Sequence, residues 1–198
     1  MGGRKNMQKY LESSQFINWQ HPEVLKQAKV LAGEDKEHIA KACFEFVRDK
    51  IKHSGDYQLN PVTCKASDVL KYGTGYCYAK SHLLAALFRA NDIPAGLCYQ
   101  RLTIDETPAF CLHGLNAVYL DQYGWYRIDA RGNKTGVQAE FSPPVEQLAF
   151  PVATQGEADL PEIWVEPLPA IIKVLENGKD YFEVLKNLPD IQVIKQLK

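Results

Sequence analysis

Three residues in this sequence have the side chains that nucleophilic acyl transfer requires: a thiol at Cys77, an imidazole at His113 and a carboxylate at Asp129. Cys77 follows Gly73-Thr74-Gly75-Tyr76 and opens a long run with apolar periodicity, so the sequence predicts the thiol in the first turn of a helix. Free N–H groups and the positive end of the helix dipole gather there and favour a negatively charged sulfur. The glycines would let the backbone turn sharply and let a substrate chain approach without a Cβ in the way. The Cys77 backbone N–H could also face an oxyanion, as acyl transfer requires. Read by itself, the same stretch is also compatible with an ordinary loop entering an ordinary helix.

A thiol nucleophile needs a base, and the base needs an orienting group. The sequence has five histidines. His21 lies beside a helix start and His38 on the polar side of a charged helix, so both read as solvated. His53 follows a helix end, and His82, five residues after Cys77, turns to a different helix face. His113 remains. It heads the strand-like "HGLNAVYL", with Leu115, Ala117 and Tyr119 on its face by the period of two. In "WYRIDA", Trp125, Arg127 and Asp129 share one face. If the hairpin around Asp121 to Gly124 pairs Leu120 with Gln122 or with Gly124, Asp129 stands opposite His113 or one diagonal step away. A slip of one residue would put them on opposite faces. Taken singly, His113 also reads as a satisfied strand histidine and Asp129 as a turn carboxylate.

The elements that must position these groups follow from periodicity and breakers. "HPEVLKQAKVLAG" starts a short helix at Pro22 and stops at Gly33. In "EDKEHIAKACFEFVRDKIKHS", Ile39, Cys43, Phe46, Val47 and Ile51 form an amphipathic stripe, with Cys43 as a small core residue. Ser54 to Pro61 reads as irregular, and "ASDVL" as a brief helix with Ser67 as N-cap. From Cys77, the residues Ala79, Leu83, Leu84, Leu87 and Phe88 give one apolar face that ends before Pro94. Strands are predicted over 95–102, 112–120 and 125–130. Beyond Arg131 the chain is proline-rich from Pro143 to Pro169, readable as a lid, a linker or an interface. Short helices are expected near 170–176 and 181–188. Helices first and strands second favour an α+β fold.

A chain of 198 residues with 45% hydrophobic content suits a single domain with its own core. A net charge of -1 and a pI near 6.5 offer no basic stripe for nucleic acid and no polybasic membrane patch. The five cysteines contain no Cys-x-x-Cys pair and no four-ligand spacing, so neither a metal nor another cofactor is expected. No apolar signal-peptide segment is visible, Met1-Gly2 lacks the Ser or Thr that a myristoylation start wants at position 6, and no stretch reaches membrane-span length. A reducing, cytoplasmic setting is the expectation.

Two passages resemble a known family. "ASDVLKYGTGYCYAKSHLLAALFRANDIPA" is similar to the glycine-then-cysteine turn and core helix of the transglutaminase-like superfamily, which lies within the broader papain-like fold and includes cysteine peptidases. "LHGLNAVYLDQYGWYRIDARGN" resembles its histidine and aspartate strands. The likeness spans roughly Val62 to Asn133. It implies a papain-like core over about 35–135, with N-terminal helices and the nucleophile helix packed on an antiparallel sheet. It also implies a Cys77–His113–Asp129 triad that transfers acyl groups from amides. The expected substrate is a peptide or protein amide, hydrolysed by default; a protein-glutamine transglutaminase or deamidase and a non-catalytic peptide-binding module are the alternatives. Many relatives follow the histidine with Ala-Trp and place a carboxylate four residues after it, whereas Gly114, Leu115 and Ala117 stand here. An Arg-Gly-Gly phrase before the cysteine, as arylamine acetyltransferases have, is missing. The side chain completing an oxyanion hole beside the Cys77 N–H is expected among Tyr57, Gln58 and Asn60.

Overall fold

The computed structural model describes residues 7–104 and 109–190; the Met1-Gly2 start lies outside them. After a 3-10 turn at Lys9–Leu11, helix α1 spans Pro22–Val30 and α2 spans Lys36–Lys50. Asp35 caps α2 by accepting the His38 N–H at 2.8 Å. The buried stripe of α2 is Ala40, Cys43, Phe44 and Val47. Phe46, expected in that stripe, is only half-buried at its edge, and Ile51 leaves the helix with extended backbone. That change of backbone starts strand β1, Lys52–His53, which pairs in parallel with β2, Thr74–Gly75.

The segment expected to be irregular holds a short helix, α3, Ser54–Tyr57. It escapes sequence reading because its cap is an imidazole: His53 Nδ1 accepts the Asp56 N–H at 3.3 Å. Helix α4, Ala66–Tyr72, follows, and Ser67 is not its N-cap. Asn18 reaches in from 49 residues away instead, accepting the Ser67 N–H at 3.1 Å and donating to its hydroxyl at 2.8 Å. Gly73 ends α4 with φ of 65°, a left-handed turn that suits glycine. Gly75 works differently from the expectation. Its bare side faces Thr63 Oγ1 and Ala79 Cβ, each 3.1 Å from where a Cβ would stand, so it lets the chain press against the coming helix rather than admit a substrate.

Helix α5, Cys77–Ala90, is buried from Cys77 to Arg89 on every side, not on one apolar face alone. Helices α1, α2 and α4 pack around it on one flank, and strands β3, Ala95–Thr103, and β4, Phe110–Leu120, on the other. Its polar residues survive burial by bonding to backbone. Arg89 donates to the carbonyls of Ala95, Glu12 and Val165, and Lys80 to that of Ile51.

The sheet runs in the order β5-β4-β3-β6, all antiparallel, with β5 at Gly124–Ile128 and β6 at Ala158–Asp159. The β4–β5 hairpin pairs Leu120 with Gly124, which sets Asn116 against Ile128. The proline-rich stretch lies along the sheet edge: Trp164 bridges to Leu97, and β6 pairs with Gln100 and Arg101. Helices α6, Pro169–Asn177, and α7, Tyr181–Lys186, complete the described chain.

One face of β4, carrying Gly114, Asn116 and Val118, turns toward α5, and the other carries His113, Leu115 and Ala117. At Gly114 a Cβ would stand 2.9 Å from the Tyr78 ring and 3.1 to 3.2 Å from Tyr78 Cα and N. Helix backbone cannot yield as a side-chain tip can. Gly114→Ala should therefore cost about 1–3 kcal/mol through overpacking. Urea denaturation checks this, with Gly124→Ala, which strains φ but meets no atom within 4 Å, as the comparison for a purely conformational effect.

Candidate active site

Helix α5 begins at Cys77 with Tyr76 as N-cap, no side-chain cap and no acidic residue in its first turn. Its leading N–H groups and positive dipole end are therefore left uncompensated by the helix's own side chains. Strand β4 runs past this end closely enough for the Gly114 N–H to donate to Cys77 Sγ at 3.4 Å. The residue before Gly114 is His113. Its Nε2 donates to Asp129 Oδ2 at 2.7 Å, and the Cys77 side chain is near enough to help raise its pKa. With Nε2 committed to the carboxylate, Nδ1 is the nitrogen left for the sulfur.

Asp129 follows the last residue of β5 and is fully buried. Extending the observed register places it one diagonal step from His113, on the same face. Its carboxylate also accepts the Arg131 N–H on Oδ1 and the Ala149 N–H on Oδ2, each at 3.1 Å. Burial opposes its charge, but His113 and these N–H donors together hold it below the usual carboxylate range. Burial likewise opposes a charged His113 ring. The Asp129 carboxylate, with Cys77 beside it, overcomes that and pushes His113 up to about 10. The arrangement favours an imidazolium held between a carboxylate and a sulfur. Phe150 stacks edge-on against the His113 ring, with centroids 5.0 Å apart, and keeps one side of it dry.

These groups open onto a cavity of about 590 Å³. Leu102, Ile104, Leu112, Leu185 and Leu188 give it an apolar wall, and His53, Asp56, Arg131 and Lys134 a polar one. The Arg131 guanidinium pairs with both Asp56 oxygens at 2.7 and 2.9 Å, and Lys134 Nζ reaches the same carboxylate at 2.8 Å. Phe150, Asp56 and Arg131 were not legible as site residues, since nothing local in the sequence ties them to His113. The proline-rich stretch is thus a wall of the site through Phe150, Pro151 and Ala153.

The structure brings none of the expected oxyanion side chains to this cavity. Tyr57 is exposed beneath the Lys52 ammonium, 5.3 Å from its ring centroid. Gln58 ends α3 in a left-handed conformation, and Asn60 accepts the Tyr181 N–H at 2.8 Å. One turn of α3 carries all three past the site, because His53 already caps that helix. Of the remaining histidines, His21 accepts the Glu23 N–H at 3.3 Å as cap of α1, His38 is exposed, and His82 is buried against the Cys64 carbonyl at 2.7 Å. Among the described residues, no group of His, Cys, Asp and Glu could hold a metal ion, and no helix is long and apolar enough to cross a membrane.

Residues 25–130, just over half of the chain, match the family model of the transglutaminase-like superfamily, a span that includes Cys77, His113 and Asp129. No curated protein matches the sequence. Among solved structures, a candidate cysteine protease from Cytophaga hutchinsonii is similar at a TM-score of 0.52 and 21% identity, over 66% of this chain and 43% of that one. The periplasmic domain of TgpA from Pseudomonas aeruginosa is similar at a TM-score of 0.50 and 18% identity, over 64% of this chain and 47% of its own. The matches thus span less than half of either neighbour, and at these identities they speak for a shared fold.

The buried pair makes a pH-dependent contribution to stability. His113 lies above its ordinary 6.5 and Asp129 below its ordinary 3.8, so the contribution is complete between those values and is lost as pH rises through about 10. Asp129→Asn removes it. Thermal unfolding of both forms should show a gap that is widest near pH 5 to 6 and narrows toward pH 10; a constant gap would mean that His113 is not charged in the folded protein.

Proposed function

The chain belongs to the transglutaminase-like superfamily, and from that premise we propose that it is a thiol-dependent acyl-transfer enzyme acting on amide bonds of peptides or proteins, with hydrolysis as its reaction. The carrying observation is the buried His113–Asp129 contact of 2.7 Å beside the Cys77 thiol. Two ionised groups are costly to bury, and a peptide-binding module gains nothing from burying them next to a sulfur.

In the proposed reaction the Cys77 sulfur, its proton held on His113, attacks the amide carbonyl carbon. A C–S bond forms and the carbonyl π pair moves to oxygen. As the intermediate collapses, the C–N bond breaks and the amine leaves with the proton from the imidazolium, giving a thioester. His113 then takes a proton from water, whose oxygen attacks the thioester; the C–S bond breaks, the acid and the thiolate separate, and His113 keeps that proton, which restores the starting pair. Asp129 keeps Nε2–H pointed inward, so that Nδ1 always faces the sulfur, and steadies the ring's charge. Hydrolysis is favoured over amine transfer because half-exposed Lys134 and Leu185 line the cavity, leaving it accessible to water. An odd number of cysteines with no Cys-x-x-Cys pair suits the reducing, cytoplasmic setting that goes with this reading.

Two measurements test the reading. Iodoacetamide should label Cys77, which faces the cavity, ahead of Cys43, Cys64 and Cys98, whose thiols burial pushes up to about 12. On a library of fluorogenic peptide amides, Cys77→Ala should abolish turnover. Asp129→Asn should lower kcat by up to about 10⁴-fold, as tautomer errors do in serine-protease triads. Equal turnover by wild type and Cys77→Ala would end the nucleophile assignment.

A further inference from the structure

We infer that the imidazole of His53 is the side-chain donor of the oxyanion hole, its Nε2–H and the Cys77 backbone N–H together receiving the carbonyl oxygen of the substrate. The inference rests on the reading of Cys77 as an acyl-transfer nucleophile and supplies the group missing from it.

The placement comes from the small parallel pairing of β1 with β2. His53 is the register partner of Gly75, two residues before Cys77, so the two chains lie about 4.8 Å apart at that point. The His53 ring packs edge-on against Tyr76, with centroids 5.3 Å apart, and lines the same cavity as Cys77 and His113. The pairing of β1 with β2 thus brings the imidazole to the rim of the nucleophile's helix, where the Cys77 N–H, as a first-turn donor, has no carbonyl partner within α5.

The tautomer follows from the cap. His53 Nδ1 accepts the Asp56 N–H at 3.3 Å, so a neutral ring carries its proton on Nε2. Nε2 is not among the sealed, unpartnered polar atoms of the described residues, and the ring it belongs to lines the cavity. The ring is also kept neutral. Burial first, then the Arg131 guanidinium, with Lys80 and His113 adding to it, outweigh the attraction of Asp56 and hold its pKa far below the usual histidine range. A neutral N–H in a half-dry cleft donates to a developing oxyanion without itself competing for the proton that His113 must hold.

Helix capping alone does not account for this residue. Ser, Thr, Asp or Asn would cap α3 better, and each would leave nothing at the Nε2 position. His21 caps α1 through the same atom, but it is exposed at the surface. His53, in contrast, is buried and lines the cavity that holds Cys77 and His113.

The test separates oxyanion chemistry from thiol chemistry in the full-length protein. p-Nitrophenyl acetate acylates a thiol through an oxyanion, whereas iodoacetamide alkylates it without one. His53→Asn keeps an oxygen in the place of Nδ1, and so the cap, but its side chain is too short to reach the Nε2 position. Its acylation rate should fall by about 10²-fold while the rate of Cys77 alkylation stays within about twofold. His53→Gln, whose amide nitrogen can stand near the Nε2 position, should recover most of the acylation. Equal acylation by wild type and His53→Asn would overturn the inference and leave the nucleophile standing. A parallel fall in acylation and alkylation would also overturn it, making His53 a structural cap only. Nitrophenolate release no faster in wild type than in Cys77→Ala would take down both the inference and the enzyme reading.

Discussion

The site depends on how closely strand β4 can lie against the first turns of helix α5. Cys77 and His113 sit on different elements, so their separation is set by backbone packing and not by side-chain choice. Three alternate residues of β4 make the junction: the Leu112 carbonyl accepts the Tyr78 hydroxyl, the Gly114 N–H donates to Cys77 Sγ, and the Asn116 amide donates to the Ser81 carbonyl. Only a residue without a Cβ fits at the middle contact. Had Gly114 carried the Ala that many relatives have there, the strand would stand further from Tyr78, and His113 further from the thiol. The departure from the family pattern at this position thus reflects how tightly this chain packs its helix.

Full enclosure of α5 creates a second constraint, because Lys80 and Arg89 are then charged groups in the interior. Both are used as anchors. Arg89 gathers carbonyls from Glu12, Ala95 and Val165, tying the N-terminal segment, the start of β3 and the stretch after β6 to the end of the helix. Lys80 does the same at the front end. It donates to the carbonyls of Ile51 and Arg48, where α2 ends, and burial brings it down to about 7. Ile51 is followed directly by β1, so the lysine one turn below the nucleophile also fixes where the strand bearing His53 begins.

That Cys77, His113 and Asp129 come together was legible because each lies in a segment with a readable period. The glycine turn and apolar run placed Cys77, and the alternation of β4 and β5 narrowed the Asp129 partner to two registers, of which the structure takes the Leu120–Gly124 one. What was not legible depends on contacts across tens of residues. Asn18 takes over the capping of α4 from 49 positions away, leaving Ser67 as its target and not the cap. Phe150 reaches His113 from the proline-rich stretch, which has no period to read. His53 was passed over because an imidazole is a poor cap by propensity, so α3 was read as irregular and the search for a donor moved four to seven residues along the chain.

Arg131 shows how the two sides of the cavity are joined. Its backbone N–H steadies Asp129, and so the acid–base side, while its guanidinium clamps Asp56 in α3, the helix that His53 caps. The same guanidinium lies over the Phe150 ring, 5.4 Å from its centroid, and Phe150 in turn covers His113. A shift of the loop after β5 would therefore move the orienting carboxylate, the ring that shields the base and the helix behind His53 together. Because Asp56 also binds Lys134, it holds two cations with one carboxylate, and burial alone would raise its pKa. The pairings bring it down to about 2, so the clamp stays ionised at neutral pH. Geometry and charge on the two sides of the site are thus set by one short loop, five consecutive residues from Asp129 to Asn133, in which the side chains of Asp129 and Arg131 point to opposite partners.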